Sequence, residues 1–372
     1  MRILLAPDKF KGSLTAGQVA AHVEAGLREV LPHLVTSTLL VADGGDGTLD
    51  AAVASGFERV PVLAHGPTGD DVESAIGVRG DVAVVELATV SGLAQLPGGR
   101  LEPLRASSFG VGELLLAALD AGCGEVVLGV GGSACTDGGA GMLQALGVRL
   151  LDAQGAEVGP GGGELARVAS VDVTGLDARL ATTDVVLATD VDNPLTGPLG
   201  AAAVYGPQKG ATPDDVSDLD AALVRFATLV DADAAVPSSG LAGAGAAGGV
   251  GFAALAVLGA RRRPGIEVVL ELAGFAERLA EADLVVTGEG SLDEQTLHGK
   301  AVAGVAAAAR AAGVPCVAVC GQRRLDPAAL SAAGIVAAYA LTDVEPDVRR
   351  CIEAPGPLLE QLGRRIAAVH AG

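Results

Sequence analysis

Three turns rich in glycine and carboxylates stand where an apolar run gives way to a helical one. They are Asp43-Gly44-Gly45-Asp46-Gly47-Thr48, Gly129 through Gly139, and Gly288-Glu289-Gly290-Ser291-Leu292-Asp293. Glycine permits positive φ and bares backbone amides, and a following helix start adds partial positive charge. Each turn is therefore a candidate anion cradle, and phosphate is the commonest occupant of such cradles. The acidic side chains cannot hold phosphate themselves, but they fit a hard cation such as Mg²⁺ lying between carboxylate and phosphate oxygens. The pairing points to nucleotide-dependent phosphoryl transfer. It makes Asp43, Gly44, Gly45, Gly131, Gly132 and Ser133 candidate phosphate or substrate contacts. Asp137 is placed to hold a cation or to cap the helix near Gly139, and Glu289 and Asp293 to hold metal or a nucleotide ribose.

Positive charge for an anionic substrate has few sources. The chain has four lysines, Lys9, Lys11, Lys209 and Lys300, each in a glycine-flanked loop. Lys9 and Lys11 follow the first apolar run at i and i+2, where an ammonium can reach phosphate or carboxylate oxygens as a point charge. Thr189-Asp190-Val191-Asp192-Asn193-Pro194 also follows an apolar run. Its two acids can bind Mg²⁺ or take a proton from a hydroxyl, and an Asx turn before proline accounts for them equally well. No segment has the Gly, four residues, Gly-Lys, Ser/Thr spacing of a P-loop. Gly243-Ala244-Gly245-Ala246-Ala247-Gly248 matches G-x-G-x-x-G, but no strand precedes it and Glu267 opens a helix, so NAD is not expected.

The elements that must position these groups follow from composition and period. A chain of 372 residues is long for one core and implies two domains. Half the residues are apolar and only 2% aromatic, which suits helices packed on sheets of small aliphatic residues in an α/β protein. A formal net charge of −20 repels nucleic acid and anionic membranes. Five scattered cysteines give no disulfide framework, and Cys316 and Cys320 belong on one face of a buried strand. Ser238 to Ala260 carries no charge, but its first half is mainly glycine and alanine, so it reads as a loop feeding a buried helix rather than a membrane span. The N-terminus enters a strand directly without a signal peptide, and a cytoplasmic location is expected.

Apolar runs predict strands at Ile3–Ala6, Thr38–Val41, Val82–Leu87, Glu125–Val130, Val185–Ala188, Asp283–Thr287, Val314–Val319 and Ile335–Ala340. Helical patterns fall at Thr15–Leu31, Thr48–Ala54, Gly110–Ala121, Gly139–Leu146, Asp214–Val230, Val268–Glu281, Gly299–Ala312 and Pro357–His370, with Ser13 or Thr15 capping the first and Thr48 the second. The alternation implies mostly parallel sheets, whose ligands gather at the carboxyl ends of the strands. Pro67-Thr68-Gly69-Asp70-Asp71 breaks the alternation and could open an inserted domain, which Pro264-Gly265 could close.

Taken together, these segments resemble the bacterial glycerate kinase family of the type that lacks a P-loop. The matching stretches are Ala6 through Ser13, Ala42 through Thr48, Gly131-Gly132-Ser133 with Asp137 through Met142, Ala188 through Leu195, Tyr205 through Ala211, Gly245 through Gly249 and Gly288 through Asp293. They run in the family's order over nearly the whole chain. Two departures are Cys135-Thr136 where Thr-Asn is expected before the aspartate, and Val302 where proline is expected after Gly-Lys-Ala. The resemblance implies ATP- and Mg²⁺-dependent phosphorylation of D-glycerate to 2-phosphoglycerate, with glycerate and ATP as partners and a homodimer left open. It implies a discontinuous Rossmann- or flavodoxin-like domain, 1–66 with 283–372, and an inserted α/β domain, 67–282, with the active site in the cleft. Asp190 is then the base, Lys9 and Lys11 assist catalysis, and Asp192, Asp293 and Glu289 are metal candidates. Ser13, Lys209 and Lys300 join the phosphate or substrate contacts. The rivals are a kinase of another small hydroxy acid or sugar, transfer to the 3-hydroxyl, and a non-catalytic hydroxy-acid sensor.

Overall fold

The computed structural model describes residues 1–10, 12–41, 45, 47–232, 236–297 and 301–370. Among them the strands are β1 Arg2–Pro7, β2 Val35–Thr38, β3 Glu58–His65, β4 Asp71–Arg79, β5 Val82–Glu86, β6 Glu125–Gly129, β7 Arg149–Leu151, β8 Ser170–Asp172, β9 Asp184–Ala188, β10 Arg261–Arg263, β11 Leu284–Leu292, β12 Cys316–Arg323 and β13 Ile335–Ala340. The chain divides into two compact units, Met1–Asp43 with Ile266–Gly372, and Gly44–Gly265.

The first unit is built on a parallel sheet ordered β13-β12-β11-β1-β2. Its central strands β1, β11 and β12 are buried on both faces, so alternate residues enter different cores. Leu4, Ala6, Cys316, Ala318 and Cys320 pack with the helix Ala301–Ala311, while Ile3, Leu5, Val317 and Val319 pack with the helices Ala16–Val30 and Pro355–His370. Cys316 and Cys320 thus share one face, as their spacing requires. Burial raises both thiol pKa values to about 12, so neither is a reactive thiolate. Thr15 caps the first helix through a capping box: its Oγ1 accepts from Gln18 N (3.2 Å), and Gln18 Oε1 accepts from Thr15 N (2.9 Å).

The second unit carries a mixed sheet ordered β10-β9-β6-β5-β4-β3, parallel from β10 to β5 and antiparallel at β4 and β3, over one core. A short antiparallel pair, β7–β8, stands apart. The uncharged stretch after Ser238 forms a loop and the buried helix Val250–Ala256, and Arg261–Arg263 is β10. Among the described residues no helix is long and apolar enough to cross a membrane.

Four expectations are corrected. The units part at 43/44 and 265/266 rather than at 66/67 and 282/283, because β3 and the helix Thr48–Ala54 belong with the second sheet and Pro67–Asp70 is the turn of the β3–β4 hairpin. The second strand lies at Val35–Thr38, on an exposed sheet edge. The apolar Leu39 and Val41 are buried just past it. The helix expected over 268–281 breaks at Gly274, whose φ of +63° leaves helical space, giving Gly265–Leu272 and Phe275–Leu279. Finally, Gly288 to Leu292 is not a turn. β11 runs on through it, pairing Glu289 with Cys320 and Ser291 with Gln322, so its backbone belongs to a ladder rather than to an anion nest.

Candidate active site

In the second unit the parallel strands end in register: Glu86 pairs with Gly129, Gly129 with Ala188, and Ala188 with Arg263. The residues that follow therefore leave the sheet side by side, about 4.8 Å apart. Two of the sequence candidates lie here as neighbours, the Gly131–Ser133 loop after β6 and Asp190 after β9.

The Gly131–Ser133 loop is held open from below. Gly132 has φ +71°, and its carbonyl accepts from Leu93 N (3.0 Å). Ala134 N donates to Ser91 O (2.8 Å). The amides of Gly131, Gly132 and Ser133 donate to no acceptor among the described residues. Three successive N–H groups without a protein partner are what an anion nest needs. Beside them is a cavity of about 290 Å³ lined by Gly132, Glu86, Gly92 and Gln95. Gly131 also touches the first glycine turn. A Cβ there would overlap Gly45 Cα, so only glycine lets the two loops meet.

The support beneath the loop is polar and fully buried. Lys209, 1% exposed, donates from Nζ to Ser133 Oγ (2.9 Å) and Cys135 O (2.5 Å). Desolvation pushes its pKa below the ordinary lysine value. Its ammonium therefore shapes the loop from inside, instead of facing a ligand. Asp137, also buried, accepts at Oδ2 from Ser108 N and Ser108 Oγ (both 2.8 Å) and at Oδ1 from Gly139 N (3.1 Å). Of its two readings, the capping one holds. Gly248 packs under Cys135 and Thr136 and its carbonyl accepts from Gly138 N (2.9 Å), which gives the discounted G-x-G-x-x-G stretch a packing role.

The first glycine turn is also claimed from within. Thr48 does not cap its helix; the cap is Gly47, φ +100°, and Thr48 Oγ1 turns back to Gly45 O (2.7 Å). The helix amides are taken by Glu86, which accepts from Gly47 N (3.0 Å) and Leu49 N (2.8 Å). A carboxylate thus takes amides at the start of this helix. Asp43 and Gly44 lie outside the described residues.

Asp190 is half-buried, and its Oδ1 accepts from Gly265 N (2.9 Å). Asp192 is exposed and paired with Arg262. Asn193 joins Tyr205 Oη (2.7 Å) to Leu199 O (2.8 Å), fixing the loop between them.

In the first unit Pro7 pairs with Gly288, so Lys9 and Glu289 stand at one sheet edge. Asp8 N donates to Gly288 O (2.7 Å) and Lys9 N to Asp8 Oδ1 (2.7 Å). Glu289 is 8% exposed, and Asp293 Oδ2 accepts from Ser291 Oγ (3.3 Å). Ser13 Oγ donates to Ile352 O (3.2 Å), which assigns it a tethering contact. Lys11 and Lys300 lie outside the described residues. Among the described residues no three His, Cys, Asp or Glu side chains cluster tightly enough to hold a metal alone. Sequence reasoning missed Glu86 and Ser108. The one signal was a carboxylate ending the apolar run Val82–Leu87, where a buried charge needs partners.

A family model described as the glycerate kinase family matches residues 3–371. The glycerate kinase of Halalkalibacterium halodurans is 44% identical over 99% of this chain and 98% of its own, and that of Bacillus subtilis 44% over 99% and 97%. The glycerate 2-kinase of Escherichia coli is 41% identical over 92% of this chain and 90% of its own. A crystal structure from Salmonella typhimurium LT2 bearing the name glycerate kinase 2 superposes with a TM-score of 0.84 at 43% identity, covering 99% of this chain and 98% of that one. With a family model matching nearly the whole chain and relatives of 41–44% identity along almost all of it, the chain belongs to the glycerate kinase family.

Proposed function

We propose that the protein transfers the γ-phosphoryl group of ATP to the 2-hydroxyl of D-glycerate, releasing 2-phosphoglycerate and ADP. The observation that carries this reading is the row of three amides at Gly131, Gly132 and Ser133 that donate to no acceptor among the described residues, in the loop after β6, whose neighbour β9 leads to Asp190. The amides offer fixed dipoles to phosphate oxygens, with no reorganisation needed as charge shifts during transfer. Asp190 takes the proton of the attacking hydroxyl. The hydroxyl oxygen then bonds to phosphorus while the bridging oxygen leaves with ADP. Its other oxygen stays on Gly265 N, which keeps the carboxylate oriented.

Lys9 of the first unit is assigned to the substrate carboxylate or phosphate. With Lys11 it supplies the local positive charge that a chain of net charge −20 otherwise lacks. Glu289 and Asp293 present hard oxygen donors at the end of β11, and Mg²⁺ needs only one or two carboxylates beside phosphate oxygens. When bound, the metal would offset phosphate charge. Asp192 fits this role less well, since Arg262 already pairs with it.

Coupled ADP-release assays with glycerate, glyceraldehyde, tartronate and hydroxypyruvate test the proposal, with ³¹P NMR to identify the isomer. Glycerate should have the highest kcat/KM and yield 2-phosphoglycerate. A higher kcat/KM on another acceptor, a 3-phosphoglycerate signal, or no ADP release from any acceptor would each overturn it.

A further inference from the structure

The second unit contains another cavity, of about 300 Å³, formed by the β3–β4 turn and the start of the helix Phe109–Asp120. Its lining includes none of Gly131, Gly132, Ser133 or Asp190. We infer that this cavity is a separate binding site for a small organic carboxylate with an apolar body.

The walls are apolar and fixed in place. Pro67, Phe109, Val158 and Pro160 supply carbon surface. The His65 ring stands edge-on to Phe109 with centroids 5.3 Å apart, and Glu113 anchors His65 at its backbone N (2.7 Å) and Nδ1 (2.8 Å). The turn is closed by Gly66 N donating to Asp70 O (2.7 Å) and tied to the far wall by Ser107 N donating to Pro67 O (2.9 Å). Gln144 is pinned through Nε2 to Val158 O (3.0 Å). A concave, preformed apolar surface with a few placed polar groups is the usual make-up of a small-molecule site.

The charge of the occupant follows from Arg105. No Asp or Glu lines the cavity, and Arg105 is the lining residue with permanent charge. Most arginines of this acidic chain are matched to carboxylates, among them Arg100, Arg149, Arg167, Arg179 and Arg261. The Arg105 guanidinium has no hydrogen-bond or ion-pair partner among the described residues. A guanidinium presents a planar fork that matches a carboxylate with two parallel hydrogen bonds, and aromatic and proline surface beside it suits an apolar ring or chain. A fully hydrophilic anion would leave that surface uncovered, and a neutral apolar molecule would leave the cation unmatched.

The experiment is ¹⁹F NMR titration of the full-length protein with 4-fluorobenzoate, with 4-fluorobenzamide as its neutral counterpart. Saturable binding of the benzoate is expected. It should weaken at least tenfold for the benzamide, for Arg105→Ala, which removes an exposed side chain, and for Thr68→Phe, which fills the space. Lack of saturable binding to the wild type, equal affinity for the benzamide, or full affinity in either variant would overturn the inference. Displacement of the probe by D-glycerate would also overturn it, because the cavity would then belong to the substrate site. The readout needs no turnover, so its failure is distinguishable from failure of the phosphoryl-transfer reading.

Discussion

The two sheet edges that carry the candidate residues are built in opposite ways. In the second unit, the charged groups nearest the Gly131–Ser133 loop are buried and hydrogen-bonded. Lys209, Asp137 and Glu86 have their polar atoms directed at backbone amides, carbonyls or hydroxyls, and Gly131 is packed against Gly45. In the first unit, Lys9 and Asp293 are half-buried, and close backbone contacts hold the turn after β1. The second unit thus spends Lys209, Asp137 and Glu86 on holding a backbone shape, while Lys9 and Asp293 of the first keep part of their surface exposed. The difference separates two kinds of contribution that sequence motifs mix together. Lysines and acids in glycine loops can be ligand contacts or the props beneath them, and Lys209, Asp137 and Glu86 are props because their polar atoms are bonded to backbone and hydroxyl groups of the loops themselves.

If that division is right, substitutions in the second edge should lower stability and turnover together, and substitutions in the first should alter ligand or metal requirement with less effect on stability. The largest effect is expected for Lys209→Met, which leaves two buried acceptors unsatisfied at about 1–3 kcal/mol each. Denaturant unfolding would measure it, and an unchanged midpoint would erase the distinction between the edges. The same variant has a pH signature. Burial lowers the Lys209 pKa, so between that value and the ordinary lysine value the unfolded chain holds more protons and stability rises with pH. The buried thiols of Cys135, Cys316 and Cys320 act in the opposite sense, since their raised pKa values make stability fall as pH rises above the ordinary thiol range. Subtracting variant from wild type should therefore leave a difference that grows with pH in the alkaline range, toward the wild type.

Gly131→Ala comes next. Its Cβ would overlap Gly45, and forcing the loops apart should cost about 1–3 kcal/mol, with a parallel loss of kcat. Glu289→Gln should raise the Mg²⁺ concentration needed for half-maximal rate about tenfold, roughly 1.4 kcal/mol of metal affinity, with a smaller change in unfolding midpoint than Lys209→Met. Asp192→Ala should do least. Its exposed pair with Arg262 is worth at most about 1 kcal/mol, and a strong change in Mg²⁺ requirement would restore Asp192 as a metal ligand.

Much of this arrangement is legible in the sequence, and the parts that are not share physical causes. Buried parallel strands such as β5, β6, β9 and β12 appear as short apolar runs because both faces are covered. The β3–β4 hairpin does not, since β3 is an edge strand exposed along most of its length and holds Pro61. The loop after β6 is visible from its glycines, but that Gly131 meets Gly45 depends on tertiary packing of segments far apart in sequence. Lys209 reads as a ligand contact, and Asp137 as either a cation ligand or a cap, because a charged residue in a glycine loop carries no local sign of its burial. Gly288 to Leu292 has the composition of a turn, yet β12 pairs with it and makes it strand.

The central claim is that Asp190 removes the proton from the attacking hydroxyl, and Asp190→Asn tests it most directly. Asparagine retains an oxygen for Gly265 N, so folding should be preserved. Steady-state assay of ADP release from ATP and D-glycerate should show kcat reduced about 10²- to 10⁴-fold, with both KM values near those of the wild type. Turnover within a few-fold of the wild type would contradict the account.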